Sequence, residues 1–61
     1  MEALHKKTGR RYVIINDNII NATNANDGQI MVLYSGMRKD NLTVGIFVRE
    51  KTEFLEKFQI I

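Results

Sequence analysis

The chain contains no cysteine and only one histidine, His5, among its 61 residues. The lack of cysteine excludes disulfide bonds and thiolate metal sites, and a single histidine excludes a metal site built on several of them. A domain this small buries only about 60% of its unfolded surface and commonly depends on a disulfide, a metal or a partner chain. The sequence therefore predicts a single domain over residues 1–61 that forms a homo-oligomer.

Patterns of catalysis and of membrane insertion are also lacking. Ser35 is the only serine and lies far from His5, and the four glycines are dispersed rather than gathered into a phosphate-binding loop. The aspartates fall in predicted turns, where their carboxylates bond the local backbone. Apolar stretches of about five residues are far shorter than the roughly 20 that span a membrane, and the N-terminal segment lacks the apolar centre of a secretory signal. We expect a cytoplasmic protein without enzymatic activity, cofactor, bound metal or membrane contact.

Short apolar stretches predict a mainly β domain. They lie at residues 12–15, 30–34 and 44–48, with polar segments between them. Thr8-Gly9 and the segment 24–28, which ends in Asp-Gly, are predicted turns because glycine adopts the positive φ that tight hairpins require. Both alternating faces of the stretch at 30–34 are apolar. This predicts a central strand that is covered on both sides or meets another subunit on one of them.

The period of the apolar residues changes after Glu50. Phe54, Leu55 and Phe58 follow helical spacing, which predicts a helix at the C-terminal end. Acidic residues precede Lys57 in this segment, the order that the helix dipole favours. The predicted fold is therefore mainly β, with about five short strands and one short C-terminal helix.

Two irregularities are predicted within the strands. The polar triplet at 16–18 predicts a bend or turn, with Ile19 and Ile20 returning to the core. Gly45 lies inside an apolar stretch and predicts a β-bulge or a sharp coil of the strand. Both features would bend the sheet, as a small barrel requires.

The basic residues crowd around the first predicted turn. Its two arms carry Lys6, Lys7, Arg10 and Arg11. These four cations lie within roughly 10 Å of one another, since paired strands are about 4.8 Å apart. Their mutual repulsion would be relieved by an anion such as phosphate, for which arginine offers a planar fork. The alternative is a solvated edge that discourages pairing between sheets. Arg38, in a later predicted loop, is a further candidate phosphate ligand.

Three aromatic residues, Tyr12, Tyr34 and Phe47, are candidates for stacking on a nucleotide base. Arg49 lies two residues after Phe47 and could stack on a ring or hold a phosphate. The alternative is that these rings pack in the core or at a contact between subunits. Tyr34 directly precedes the polar loop at 35–41, which makes it the preferred candidate for a ligand contact.

Four short motifs cover nearly the whole chain: His5-Lys6-Lys7-Thr8-Gly9-Arg10-Arg11-Tyr12, Met31-Val32-Leu33-Tyr34, Phe47-Val48-Arg49-Glu50 and Phe54-Leu55-Glu56-Lys57-Phe58. Together they resemble a family of small uncharacterised domains found in bacteria and their phages. In that family a tryptophan ordinarily stands at the position of Phe47 and a proline at the position of Glu50. We therefore expect this chain to have a smaller aromatic surface and a different N-terminus of the helix. The resemblance implies a small SH3-like β-barrel, and it brings no activity with it.

These observations favour a non-catalytic binding domain, with three hypotheses for its partner. The first is sequestration of a small phosphate-bearing ligand such as a nucleotide, by which a phage-encoded domain would counteract host defence signalling. The second is inhibition or recruitment of a host protein through a sheet edge or the terminal isoleucines. The third is sequence-tolerant nucleic-acid binding along the basic hairpin, which a net charge of only +2 supports weakly.

Overall fold

The protein is described here by a computed structural model that covers residues 1–24 and 27–61. It has five strands and one helix: β1 (Glu2–His5), β2 (Arg11–Asn21), β3 (Gln29–Met37), β4 (Val44–Glu50), α1 (Lys51–Lys57) and β5 (Phe58–Ile60). The predicted mainly β fold with five strands and one short helix is confirmed. The middle of the turn predicted at 24–28 lies outside the described residues.

The five strands form one antiparallel sheet in the order β4-β3-β2-β1-β5. β4 and β5 lie at its two edges, and no ladder joins them within the part of the chain that the structure describes. The sheet is therefore open, and the small SH3-like barrel that the family resemblance implies is not confirmed. α1 leads from β4 into β5 and packs against β3, β4 and β5.

One side of the sheet, termed the inner face, carries the core beneath α1. Its buried side chains alternate along the strands as the period of two requires, and the helix adds one more from its underside. The buried residues are Ala3, Ile14, Val32, Tyr34, Phe54 and Phe58. This is a small core, as the chain length predicts.

All five aromatic residues of the chain meet on the inner face and are termed the aromatic cluster: Tyr12, Tyr34, Phe47, Phe54 and Phe58. The ring of Tyr34 is central, with centroids of the other four between 5.1 and 5.6 Å away. Phe54 and Phe58 stack at 4.2 Å with their planes 6° apart. Because aromatic pairs contribute about 0.5–1.5 kcal/mol each beyond burial, this cluster accounts for much of the cohesion of the core.

Glu50 begins the helix as its N-cap residue. Its carboxylate accepts the backbone N–H of Thr52 at 2.7 Å and that of Glu53 at 3.0 Å, two groups that the helix itself leaves unpaired. These hydrogen bonds, first that of Thr52, hold the pKa of the Glu50 carboxyl below its ordinary value. Glu50 is therefore the residue that starts α1. No helix in the described residues is long enough to cross a membrane.

The first predicted turn is confirmed at Gly9, whose φ is 73°. The Gly9 N–H donates to the His5 carbonyl, and the His5 N–H donates to the Arg10 carbonyl, both at 2.8 Å. Gly28, at the end of the second predicted turn, has a φ of 85° and donates to the Asn21 carbonyl at 2.8 Å. Glycine is required at both positions because other residues are strained at these angles.

β2 continues through the polar triplet at 16–18 instead of turning there. Its pairing with β3 shifts twice, between Ile14 and Asn16 and between Asn16 and Ile19, so the predicted bend takes the form of bulges. The Asn18 N–H donates to the Asn16 side chain at 2.9 Å, which stabilises the irregular backbone locally. Ile19 is half-buried, but Ile20 is 62% exposed. The prediction that Ile20 returns to the core is therefore wrong, because after two shifts the strand presents it to solvent.

Gly45 lies opposite Gly36 in a regular β3–β4 ladder, so the bulge or coil predicted at Gly45 is wrong. Both glycines instead make room for side chains that cross them. A Cβ atom at Gly45 would lie 2.7 Å from Cζ of Phe47 and 3.1 Å from Cγ of Arg38, and one at Gly36 would overlap the Tyr12 ring. The two glycines therefore let part of the aromatic cluster pack directly against the backbone of β3 and β4.

The opposite side of the sheet is apolar as well. The residues Val13, Leu33, Val44, Ile46 and Val48, here termed the outer face, point away from the core on three adjacent strands. Four of them are between 50% and 70% exposed. A sheet with one solvated side ordinarily carries polar residues there. In a single chain β3 is therefore covered on one side only.

Substitution of Gly36 by alanine tests whether the Tyr12 ring packs against the backbone at Gly36. The added methyl would overlap the ring, so we expect the free energy of unfolding to fall by about 1–3 kcal/mol, the usual cost of overpacking. When Tyr12 is already alanine, the same substitution should cost almost nothing. Urea denaturation of the four chains measures the difference, and an equal cost in both backgrounds would contradict the contact.

Substitution of Glu50 by glutamine tests the helix cap through its pH dependence. An unfolded glutamate has a pKa of about 4.3, and the cap lowers the folded value. The stabilisation is therefore fully present above about pH 5 and is lost as the pH falls through the folded pKa. We expect Glu50→Gln to be less stable than the parent at neutral pH, with the difference narrowing in acid.

Urea denaturation over a pH series measures this difference. Glu56→Gln serves as the control, because it removes the same charge from an exposed position of α1 that caps nothing. It should cost less than Glu50→Gln at neutral pH. A Glu50→Gln penalty that stays constant into acid would show that the carboxylate charge does not supply the stabilisation.

Candidate functional site

A cleft of about 560 Å³ opens beside the aromatic cluster. Four rings form its apolar surface: Tyr12, Tyr34, Phe47 and Phe58. Four cations line it as well: Arg10, Arg38, Lys39 and Arg49. The remaining lining residues are His5, Met37 and Asp40. The cleft lies within a single chain, so a binding site does not require an interface between subunits.

The rings contribute unequally to the surface of the cleft. Tyr34 is only 4% exposed, and Phe58 is buried as well, so both support the floor from beneath. Tyr12 and Phe47 are half-buried and keep part of their rings accessible. Their planes meet at 80° with centroids 6.3 Å apart. A planar ligand would therefore meet mainly Tyr12 and Phe47.

Arg49 is held in place by two partners. Its Nε donates to the Tyr34 hydroxyl at 3.3 Å, and its Nη1 donates to the Glu53 carboxylate at 2.8 Å. Its guanidinium also lies 5.9 Å from the centre of the Phe58 ring. The hydrogen bond to Tyr34 is the main cause that raises the pKa of Arg49 above its ordinary value. The Arg49 guanidinium is thus held in one orientation, and Glu53 neutralises part of its charge.

The other cations come from two loops that meet at the rim. Nη1 of Arg10 donates to the Arg38 carbonyl at 3.3 Å, which joins the β1–β2 turn to the β3–β4 loop. Within the described residues the ion pairs are Glu2 with Arg11 and Arg49 with Glu53. Arg10, Arg38 and Lys39 therefore have no carboxylate partner in the part of the chain that the structure describes. We term these three residues the cationic rim.

Asp40 is the one carboxylate in the lining, but its oxygens serve the loop. It accepts the backbone N–H of Leu42 at 2.9 Å and that of Thr43 at 3.2 Å. These bonds, first that of Leu42, hold the pKa of the Asp40 carboxyl below its ordinary value. Asp40 thus shapes the loop that presents Arg38 and Lys39, as its predicted turn role requires.

His5 contributes a ring edge to the cleft wall. Its centroid lies 4.8 Å from that of Phe58, at an angle of 69°. Its Nδ1 accepts the backbone N–H of Thr8 at 3.3 Å and lies 2.9 Å from the Thr8 hydroxyl. These two contacts with Thr8 fix the orientation of the His5 ring within the β1–β2 turn.

The structure divides the residues proposed from the sequence into two groups. It brings Tyr12, Tyr34, Phe47, Arg10, Arg38 and Arg49 together around one cleft. Lys6 and Lys7 lie exposed in the turn outside the cleft lining, and Arg11 pairs with Glu2 at 3.7 Å beside Val13. The basic hairpin is therefore split: Arg10, just before β2, reaches the Arg38 carbonyl, whereas Arg11, the first residue of β2, pairs with Glu2.

Five lining residues were not among the site residues proposed from the sequence: His5, Met37, Lys39, Asp40 and Phe58. The pairing of His5 with Phe58 across β1 and β5 could not be anticipated, since it joins the two ends of the chain. Lys39 follows Arg38 in the same loop and offered the one local signal. Within the described residues, no group of three or more histidine, aspartate or glutamate side chains could hold a metal ion.

Comparison with protein-family models, with curated proteins and with solved structures finds no match to this chain. The resemblance to small bacterial and phage domains therefore stays a prediction. What the cleft can bind has to be argued from its own residues.

Substitution of Tyr34 by phenylalanine tests the bond that orients Arg49. It removes only the hydroxyl that accepts from Nε, and a partly exposed hydrogen bond of this kind is worth about 1 kcal/mol. We expect that loss in the free energy of unfolding, and a smaller loss when Arg49 is methionine. The matched control is Tyr12→Phe in the same cluster, whose hydroxyl has no hydrogen bond within the described residues. Equal losses for the two substitutions would contradict the role of Tyr34.

Proposed function

We propose that this chain is a non-catalytic binding domain whose cleft takes a small phosphate-bearing ligand of the nucleotide type. One observation carries the proposal: three cations without a carboxylate partner in the described residues border accessible aromatic rings in a cleft of about 560 Å³. A volume of this size lies within the range of small-molecule sites, about 300–1,000 Å³. The proposed binding mode has two parts, one for phosphate and one for the base.

The phosphate part is the cationic rim. The hydrogen bond from Nη1 of Arg10 to the backbone carbonyl of Arg38 brings the Arg10 guanidinium to the loop that carries Arg38 and Lys39. Three cations that line one cleft repel one another, and an anion among them relieves the repulsion. Arginine suits phosphate because its fork donates two parallel hydrogen bonds. The rim therefore supplies affinity that a neutral ligand cannot use.

The base part is the accessible surface of Tyr12 and Phe47. Stacking on an aromatic side chain is worth about 1–3 kcal/mol per base. Arg49 supplies hydrogen-bond donors beside these rings. The combination favours a ligand that joins a planar ring system to a phosphate over either component alone.

Binding alone would be the biological action in this proposal. Ser35, the only serine, pairs with Val13 and Ile46 on the outer side of the sheet, away from the cleft. The described lining of the cleft contains no serine, threonine or cysteine. A phage-encoded domain of this kind, in the cytoplasm of its host, would lower the free concentration of a nucleotide signal. The phage setting, the defence role and an SH3-like relationship rest on the sequence resemblance, with which a small five-stranded fold is compatible.

A panel of ligands tests the proposal by thermal unfolding and calorimetry. Suitable probes are nucleoside monophosphates, diphosphates and cyclic dinucleotides, with free nucleosides, inorganic phosphate and single-stranded oligonucleotides for comparison. A ligand at a hundredfold excess over its dissociation constant should stabilise the fold by about 2.7 kcal/mol. An unchanged melting temperature across the nucleotides would contradict the proposal. Tight binding to oligonucleotides alone, falling steeply with salt, would instead indicate nucleic-acid binding.

Two sets of variants locate the ligand. Arg38→Ala and Arg10→Ala remove rim cations, and each should weaken a phosphate-bearing ligand about tenfold or more, since a charged hydrogen bond is worth at least about 1.5 kcal/mol. Phe47→Leu should weaken nucleotides while sparing any binding of inorganic phosphate. The matched controls are Lys6→Ala and Arg11→Ala, which remove the same charge outside the cleft lining. Equal effects of control and rim variants would indicate attraction by overall charge rather than a site.

A further inference from the structure

We propose that the outer face is the surface on which a second copy of this chain docks, back to back, to form a reversible two-fold dimer. The starting observation is the pattern of exposure. Val13, Val44, Ile46 and Val48 are each at least half exposed, although they lie on neighbouring strands and carry no charge. The register places Val13, Ser35 and Ile46 in one row and Leu33 beside Val48 in the next.

The arrangement of charge favours a second copy over other occupants. The cations of the cleft lie on the inner side of the sheet, around the aromatic cluster. On the outer side, Glu2 lies opposite Val13 and pairs with Arg11 at 3.7 Å. The carboxylate of Glu50, two residues after Val48, accepts the backbone N–H groups of Thr52 and Glu53. Two copies that meet at the outer face therefore bring together apolar surfaces whose neighbouring charges already have partners, and they keep their cationic rims apart despite a net charge of +2 on each chain.

The size of the face sets the expected strength. Three strands at about 4.8 Å spacing, over about six residues at 3.4 Å each, give a footprint of roughly 300 Å². This lies at the lower end of the range of about 300–600 Å² for the largest apolar patch of a monomer and is less than the roughly 800 Å² per partner of a standard stable interface. We therefore expect a dimer that dissociates on dilution. Two sheets packed at their apolar faces would form a β-sandwich, about 10 Å from sheet to sheet.

The same dimer would add buried apolar surface to a chain whose own core is small. Among the described residues of the single chain only six apolar side chains are buried, all on the inner side. Docking at the outer face would cover β3 on both sides, as the two apolar faces of that strand require. A two-fold axis presents the same patch from both copies, so one set of residues suffices. Both clefts would then open outward, on opposite ends of the dimer.

Sedimentation equilibrium from micromolar to millimolar concentration tests the proposal. The mass of the parent chain should rise from that of one chain to that of two. Val13→Lys and Ile46→Lys should each keep the mass of one chain, because a lysine buried without a partner is costly. The matched control is Leu55→Lys, which adds the same charge at an exposed apolar residue of α1. It should dimerise like the parent.

The Val13→Lys variant distinguishes this dimer from one that forms by pairing of free sheet edges. β2 is an interior strand, whereas β4 lies at an edge. A dimer formed along β4 would therefore survive Val13→Lys, and that result would overturn the proposal. So would a parent chain that keeps the mass of one chain at every concentration.

A milder variant covers the case in which a lysine variant does not fold. The double substitution Val13→Thr and Ile46→Thr keeps β-branched side chains on the strands and should raise the dissociation constant at least tenfold. Methyl NMR on the parent chain gives a second measurement. The resonances of Val13, Ile46 and Val48 should shift with concentration while those of Leu55 stay fixed. The reverse pattern would place any contact elsewhere.

Discussion

The aromatic cluster is the contact on which the rest of this structure depends. A 61-residue chain has room for one core, and all five of its aromatic side chains are in it. Tyr34 brings the cluster together from β3, while Phe54 and Phe58 enter from the helix and the last strand. The cluster therefore joins the two ends of the sheet across α1, which no ladder within the described residues does. Without those rings, the open sheet and its helix would share little apolar surface.

The same rings form the floor of the cleft, so stability and binding are not separable here. Tyr34 supports the floor from below and accepts the hydrogen bond that orients Arg49. Arg49 in turn reaches Glu53 in the first turn of α1. A ligand on Tyr12 and Phe47 would thus press on a core that continues to the helix. The cationic rim differs, because it stands on loops and can change without loss of core contacts.

Much of the fold was predictable because its signals are local. The apolar stretches, the glycine turn at Gly9 and the helical spacing after Glu50 depend on neighbours in sequence, and the structure has strands, turn and helix at these places. The failures depend on distant contacts. The role of Gly45 depends on Phe47 and Arg38, whose side chains occupy the space that a Cβ atom at this position would need. The exposure of Ile20 follows from register shifts against β3, which residues 16–20 alone do not specify.

The candidate site was predictable in composition but not in arrangement. A cluster of cations near Gly9 suggested an anion site, yet the hairpin alone could not reveal that Arg10 joins Arg38 while Arg11 turns toward Glu2. Strand pairing decides this, since Glu2 and Arg11 lie on the paired strands β1 and β2, whereas Arg10 lies in the turn before β2. The closeness of His5 to Phe58 also depended on a pairing between the first and last strands. Sequence pattern proposes which residues take part, and topology decides which of them meet.

The two proposed surfaces lie on opposite sides of the same strand, β4. Phe47 and Arg49 face the cleft, while Ile46 and Val48 face outward from the same strand. A register slip of one residue would exchange the two sets, because the side-chain period of a strand is two. The facing pair of Gly36 and Gly45 opposes such a slip. The Tyr12 ring lies over one glycine and the side chains of Phe47 and Arg38 over the other, and no other residue type leaves space for them. Two residues without side chains therefore fix which side of the sheet receives the rings and cations and which side is left apolar.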